Sequence, residues 1–509
     1  MSWLKSRAVD LLCLLGFGIV TLITMFHHEL AHDEATAWNI ARSADHWLQV
    51  FWHSRHEGHS PFWFLVLWPL TLTGNPMLMQ GFSWFVGVAV AALMLKERPF
   101  PLWICLVIIF GYYILYEYTI ISRPYILAVL FCALLASSLH RQSQAFVWQC
   151  TCCGLVAFTS AFGVALSVPL ILLVITNTYR ANSTVTRSTV VSGLLIYAAL
   201  SVVCILCVVL PLDRAEQVMG GVYSNVANQE KVNLWLWLRA WITPVFPHID
   251  RLPLGIGYFL RNQASGIVLI AMVAMLAVLS VGVQLRRYPD ASRCWLLSAV
   301  VIPLAIVFSG SESERHLGHL YLAALTLLWA RKGLYSRRTV GSSDNVKTLM
   351  PGFSSVVLVT VLCYQSVIGV AVTAFDLSRE LTIWRELSQE ISKTPEHEEA
   401  LLLTNQTQHV SSLLAYLDKE AFDVRCQCWT RYGRWNPGTK ISQSDILESW
   451  CDMNNKPVLA ILSGDEWKPI EGIEQLANYS GRGFRDDATF GGPYVLRMTD
   501  MHPCRADGF

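Results

Sequence analysis

Charge is what this 509-residue chain has least of. Only 15% of its residues are Asp, Glu, Lys or Arg, against roughly a quarter in soluble domains. The 38 basic and 37 acidic side chains nearly cancel, which excludes the strongly basic surface that nucleic-acid binding requires. No small-x-small cleavage site follows the apolar run behind "MSWLKSR", so this run is expected to remain as a first membrane helix and not to be removed as a signal. There is no internal repeat, no low-complexity stretch and no apolar segment with an Asp at its middle. What the chain does have is hydrophobic surface: 53% of its residues are apolar and 19 are Trp. That composition is that of a polytopic membrane protein.

Crossing a bilayer takes about 20 apolar residues at about 1.5 Å each. Eleven segments qualify: 8–26, 77–95, 100–118, 124–139, 145–161, 162–178, 190–210, 264–285, 294–309, 317–330 and 353–375. Residues 61–73, "PFWFLVLWPLTLT", reach only about 20 Å and are interrupted by Pro69, so they are expected to lie against the membrane or dip into it. Charge supports this choice. With Lys5 and Arg7 inside and 61–73 not crossing, Lys96-Glu97-Arg98, His140-Arg141, Arg180–Arg187, Arg286-Arg287 and the 331–347 loop with "RKGLYSRR" all fall inside, as the positive-inside rule requires. The expected organisation is a membrane domain over 1–375, with its amino terminus cytoplasmic and a long outer loop, 27–76, carrying juxtamembrane helices. An extracytoplasmic domain over 376–509 follows. The expected location is the plasma (inner) membrane, crossed many times.

Beyond 375 the pattern changes. "EALLLTN", "AFDVRC", "KPVLAILSG" and "PYVLRMT" are strand-like, and "TQHVSSLLAYLDKE" has helical spacing, which predicts a small α/β domain. Ten of the fourteen Cys lie in apolar runs, where Cys acts as a small hydrophobe. Cys426, Cys428, Cys451 and Cys504 lie in the polar part, an even number that suits disulfides in an oxidising compartment. Cys426 and Cys428, two residues apart, are not expected to pair with each other.

Where the first helix ends, "HHELAHDEATAW" (27–38) carries two signals. His28-Glu29-Leu30-Ala31-His32 spells H-E-x-x-H, which binds zinc when both His share one helix face and a third ligand is supplied. No compelling third ligand follows, and a membrane zinc metalloprotease is the weakest alternative. The second signal is the acidic pair Asp33-Glu34. The topology gathers it on the outer side with Glu117 and Arg123, and with Glu312, Glu314, Arg315, His316 and His319 at the start of the 317–330 helix. Ionisable groups at a membrane point to function. A carboxylate can take the proton of an acceptor hydroxyl, while Arg and His hold a leaving phosphate. A transporter or flippase for a lipid-linked intermediate is the other alternative. Such proteins place ionisable groups near the midplane on broken, repeated helices.

"DEATAWNIARSADHW", "HEGHSPFWFLVLWPL", "YEYTIISRPYILAVLF" and, more loosely, "ESERHLGHLYLAALTLLWA" together resemble the GT-C membrane glycosyltransferases. The resemblance is to the bacterial group similar to protein O-mannosyltransferases and lipid A aminoarabinose transferases. It covers residues 10–140 and 310–330. It implies a GT-C-like fold for the membrane domain; with the eleven spans and the C-terminal runs read above, the expected architecture is an all-α membrane protein of about eleven spans with a small C-terminal extracytoplasmic α/β domain. It also implies transfer of a hexose or pentose, with inversion, from a polyprenyl-phosphate donor to a glycan, lipid or protein acceptor on the outer face. Asp33 would be the general base with Glu34 beside it, and Glu117 a second acidic group. Arg123 and Arg315 would contact the donor phosphate. Tyr125, in the Arg-Pro-Tyr junction, and His316 would bind substrate, and Arg55, His56 and His59 would line the site. The Pro-Pro pair of the family is Ser60-Pro61 here. No metal ligand is assigned, and a divalent cation is left open.

Overall fold

The structure is a computed structural model that describes residues 2–55, 57, 59–140, 145–180, 185–209, 230–248, 264–309, 313–336, 352–378, 384–405, 407–432, 442–451, 453, 457–462, 473–478 and 494–498. Among the described residues, each predicted span coincides at least in part with a helix. Among the described residues, seven helices are long and apolar enough to cross a membrane: Ser2–His27, Met77–Glu97, Ala161–Arg180, Arg187–Val209, Ala264–Leu285, Pro289–Ser309 and Phe353–Ser378. Tyr125–His140, Phe146–Ala157 and His319–Ser336 are shorter. The predicted 100–118 helix is corrected. It stops after Leu102–Ile109 and resumes as a π turn, Tyr113–Glu117. The break has a physical cause. Gly111 N–H bonds the Ile108 carbonyl, and the Val107 carbonyl accepts from Ser366 Oγ at 2.6 Å. Gly369 of the last membrane helix then packs directly on the bent backbone, where a Cβ would meet Phe110 O and Tyr112 N at 2.8 Å.

Contacts at helix ends fix which ends share a side. The His28 carbonyl, just past the first helix, accepts from Gln80 Nε2 at the start of Met77–Glu97, 3.1 Å away. The chain between them therefore leaves and re-enters the membrane on one side, and Pro61–Thr71 does not cross it; eleven helical residues rise only about 16 Å. His28 Nδ1 also lies 2.8 Å from Asp376 Oδ2 at the end of Phe353–Ser378. The first and last spans thus end on the same side, which demands an odd number of crossings. At other helix ends, Arg98 pairs with Asp10 (2.5 Å) and Arg180 with Asp290 (3.0 Å).

The chain divides into two compact units. One comprises 1–23, 58–63 and 82–373, and the other 24–57, 64–81 and 374–509. The second unit holds a six-stranded mixed sheet in the order β3-β2-β1-β4-β6-β5. Its strands are β1 Leu401–Thr404, β2 Ala421–Asp423, β3 Cys428–Thr430, β4 Val458–Leu462, β5 Ile473–Asn478 and β6 Tyr494–Met498. β1 runs parallel to β2 and β4, and the remaining pairs are antiparallel. β1 and β4 are central and covered on both faces, which is why "LLLT" and "VLAIL" are continuous apolar runs without alternation. Leu402, Leu459 and Ile461 pack against helices Trp384–Lys393 and Thr407–Leu417. Leu403, Ala460 and Leu462, on the opposite face, pack against Gln443–Cys451.

The expectation against a Cys426–Cys428 bridge is overturned, because the two form a disulfide. Gln427 between them adopts a left-handed backbone, φ 52°, which folds the chain back and brings the Cα atoms to 5.2 Å. Cys451 is also disulfide-bonded. Cys504 lies outside the described residues.

Candidate functional site

The predicted site residues fall into two clusters, one in each unit. In the unit containing 82–373, the junction Ser122-Arg123-Pro124 leads into helix Tyr125–His140, and Ser313 leads into the short helix Glu314–Leu317. This places Arg123, Tyr125, Arg315 and His316 at one end of the helices, together with His59. Arg123 Nη2 is 2.8 Å from His59 Nε2. Tyr125 Oη is 2.5 Å from His316 Nε2, and the His316 ring stacks on Phe162 with centroids 4.4 Å apart. Arg123 and Arg315 are 5% and 8% exposed, so two guanidinium groups are held almost out of water. Burial first, and then Arg315 and the neighbouring His59, push the His316 pKa well below its ordinary value. His316 is therefore neutral at physiological pH, with Nε2 accepting the Tyr125 proton. Glu314 pairs with Arg239 at 3.7 Å.

Glu117 is placed by the π turn. Its Oε2 accepts the Tyr112 hydroxyl at 2.5 Å, and His248 Nε2 lies 2.7 Å from the same hydroxyl oxygen. With the Tyr112 proton directed at Glu117, the bond from His248 is donated by its Nε2–H. His248 takes a left-handed backbone, φ 50°, a strained conformation of the kind found at functional positions. Neither Tyr112 nor His248 stands out in the sequence. The "YY" and "PHID" stretches carry no spacing signal, and only the fold brings them to Glu117.

In the second unit, helix His32–Arg42 opens with the acidic pair in its first turn. Acidic residues there suit the positive end of the helix dipole. The two carboxylates differ in setting. Glu34 is fully buried, its Oε2 accepting from the Ala31 N–H at 2.9 Å and from His28 Nε2 at 3.0 Å. Asp33 is partly open, its side chain 17% exposed and its Oδ1 2.5 Å from His32 Nε2. The H-E-x-x-H pattern does not form a helix face, because the first helix ends at His27 and the next begins at His32. His28 and His32 stand on separate segments, and zinc-protease geometry is lost. Among the described residues no group of three or more His, Cys, Asp or Glu is arranged to hold a metal ion. Arg55 covers the Trp52 ring at 3.3 Å, a cation–π contact. Trp47 and Trp52 are exposed, as an interfacial belt requires, whereas Trp38 and Trp63 are buried in the core. His56 and Glu312 lie outside the described residues.

No protein-family model matches the chain, and no curated protein matches it. Among solved structures, the chain is similar to ArnT from Cupriavidus metallidurans bound to undecaprenyl phosphate and to the same protein in the apo state. Each shares 13% identity over 97% of this chain and 98% of that one, with a TM-score of 0.49. It is also similar to the arabinofuranosyltransferase AftD from Mycobacteria, at 11% identity over 96% of this chain and 40% of that one, with a TM-score of 0.36.

Proposed function

We propose that this protein is an integral membrane glycosyltransferase that moves a sugar from a polyprenyl-phosphate donor to an acceptor hydroxyl or amine at the non-cytosolic face. One observation carries it: two buried guanidinium groups, Arg123 and Arg315, sit with His316, His59 and Tyr125 at one end of an apolar helical unit. A dianionic or monoanionic lipid phosphate needs such a place, where cations and hydrogen-bond donors meet the head group and the bilayer takes the tail. Asp33, partly open on the first turn of its helix, is the general base. It accepts the acceptor's proton as the acceptor oxygen or nitrogen bonds the anomeric carbon. The bond from that carbon to the phosphate oxygen breaks with inversion, and polyprenyl phosphate departs with the bonding electron pair, its charge taken up by Arg123 and Arg315. Glu34, closed by His28, shapes the turn, and Glu117 with Tyr112 and His248 forms a second acidic group of the site. Residues 1–375 serve as the catalytic membrane domain and 376–509 as an extracytoplasmic domain of a plasma-membrane protein.

The test is transfer of radiolabelled sugar from a polyprenyl-phosphate donor into endogenous acceptor in vesicles containing the protein. Asp33→Asn should lower the rate by about 10²-fold or more, as loss of a general base does. Full activity in that variant sinks the proposal.

A further inference from the structure

The turn that carries Asp33 is held from several directions, and most of the holding groups come from residues far away in sequence. His28 is 2% exposed. Its Nε2 faces Glu34 Oε2 at 3.0 Å and its Nδ1 faces Asp376 Oδ2 at 2.8 Å. Both nitrogens point at carboxylates, so both donate and the ring is an imidazolium. Arg385, on helix Trp384–Lys393, donates from Nη2 to the His28 carbonyl at 2.7 Å, and Gln80 donates to the same oxygen. The Leu30 N–H bonds Tyr416 Oη at 2.9 Å, and the Leu30 carbonyl accepts from Ser412 Oγ at 2.9 Å. Along helix His32–Arg42 the pattern continues. Thr36 and Asn39 bond Ser411, and Arg42 pairs with Asp418 through Nε and Nη2 at 3.1 and 3.0 Å. Ser411 and Ser412 are small enough to let helix Thr407–Leu417 lie close to this segment.

Segment 28–31 has no helix or strand of its own; the His28 N–H and the Ala31 carbonyl bond neighbouring backbone, while the His28 carbonyl, both Leu30 backbone groups and the Ala31 N–H are satisfied by side chains. A buried ionic network is a poor source of net stability, but removing one member leaves uncompensated charge and is costly. Such networks are well suited to fixing one geometry.

We infer that His28, clasped between Glu34 and Asp376, is a positioning residue for Asp33, and that helices Trp384–Lys393 and Thr407–Leu417 of the C-terminal domain form the clamp that holds this acidic turn in its working shape. The C-terminal domain thereby acts on Asp33 through the backbone of 28–42. The catalytic half of this inference rests on the proposed role of Asp33; the clamp itself stands on the hydrogen bonds. The charged groups facing His28 are Glu34 from the following helix, Asp376 from Phe353–Ser378 and Arg385 from Trp384–Lys393. Burial works against its charge, but Asp376 and Glu34 outweigh it and raise its pKa to about 10.

Full-length protein in proteoliposomes tests this with Asp376→Asn and His28→Gln, in two measurements. Hydrogen exchange of the backbone amides of 30–35 should accelerate about tenfold or more in both variants, since the clamp closes a local opening. Transfer of labelled sugar from a polyprenyl-phosphate donor should show a new alkaline decline in Asp376→Asn. With one carboxylate gone, His28 loses its proton at lower pH; kcat should fall and KM for the donor should stay unchanged. The decline should be absent in His28→Gln. Unchanged exchange in both variants overturns the clamp. Faster exchange with a wild-type pH profile and rate overturns the positioning role and leaves a merely structural contact. Faster exchange in the variants with no transfer even by the wild-type protein sinks the transferase proposal, and the positioning role falls with it while the clamp stands.

Discussion

Two histidines, one between carboxylates and one among arginines, give opposite pH signatures. His28 has a pKa raised to about 10 despite its burial, because Asp376 and Glu34 favour the imidazolium. The folded state therefore holds a proton that the unfolded chain releases near 6.5. Its contribution is fully present below about pH 6.5 and is lost as pH rises toward 10. His316 is the reverse: burial, and then Arg315, depress its pKa. The unfolded chain takes up a proton below about 6.5 that the folded chain refuses, so its burial weakens the fold as pH falls. Melting temperatures of the wild type and two variants in detergent across pH check both signs. The deficit of His28→Gln should shrink toward pH 10, and His316→Asn should be less acid-sensitive than wild type below pH 6. At Arg123 the expectation concerns shape as much as charge. A lysine keeps the charge but loses the planar fork that meets phosphate oxygens. Arg123→Lys should therefore reduce kcat/KM for a polyprenyl-phosphate donor on the order of tenfold, measured in the same vesicles. A wild-type value would remove Arg123 from the phosphate site.

At the scale of elements, the break at 110–112 decides where Glu117 stands, and it depends on a residue more than 250 positions away. Gly369 has Phe110 O and Tyr112 N within 2.8 Å of any Cβ placed on it. Gly369→Val must push the last membrane helix off the bend. A loss of about 1–3 kcal/mol is expected, read as a lower melting temperature, together with loss of activity as the Tyr112–Glu117 bond loosens. Retained stability and activity would mean that the bend is set by 100–118 alone. This dependence explains why the sequence predicts a straight helix there: "PLWICLVIIFGYYILYEY" is apolar throughout, and nothing local says that Ser366 takes the Val107 carbonyl. The spans were legible because a membrane helix is written in consecutive residues. The central strands β1 and β4 were legible for the same reason, as unbroken apolar runs. β3 and β5 lie at the sheet edges and are short or mixed in character, so they were not. Among the candidate site residues, Arg123 and Arg315 could be found because guanidinium groups beside apolar runs are conspicuous. Tyr112, His248 and Asp376 could not, because their partners are assigned by packing.

For the whole molecule, the side of the membrane on which each loop lies is the property on which chemistry depends, and two side-chain contacts constrain it. The bond from Gln80 to the His28 carbonyl keeps 28–80 on one side, and the His28–Asp376 bond puts the end of the last span there as well. In the proposed orientation, which follows the positive-inside pattern, that side is the outer one. Alkaline phosphatase fused after successive positions tests the arrangement directly, because the enzyme is active only when exported. Fusions after Thr73 and after Ser378 should be active, and fusions after Arg98 and after Arg180 inactive. If Pro61–Thr71 crossed, Thr73 and Ser378 would move inside and Arg98 and Arg180 outside, so all four results would invert together. In that case Arg123, one crossing beyond Arg98, would face the cytoplasm, away from Asp33. The acid and the cations would then be separated by the bilayer, and no single transfer site could be assembled from them. Four active-or-inactive outcomes therefore test the geometry on which the proposed chemistry stands, without any need to know the sugar or its acceptor.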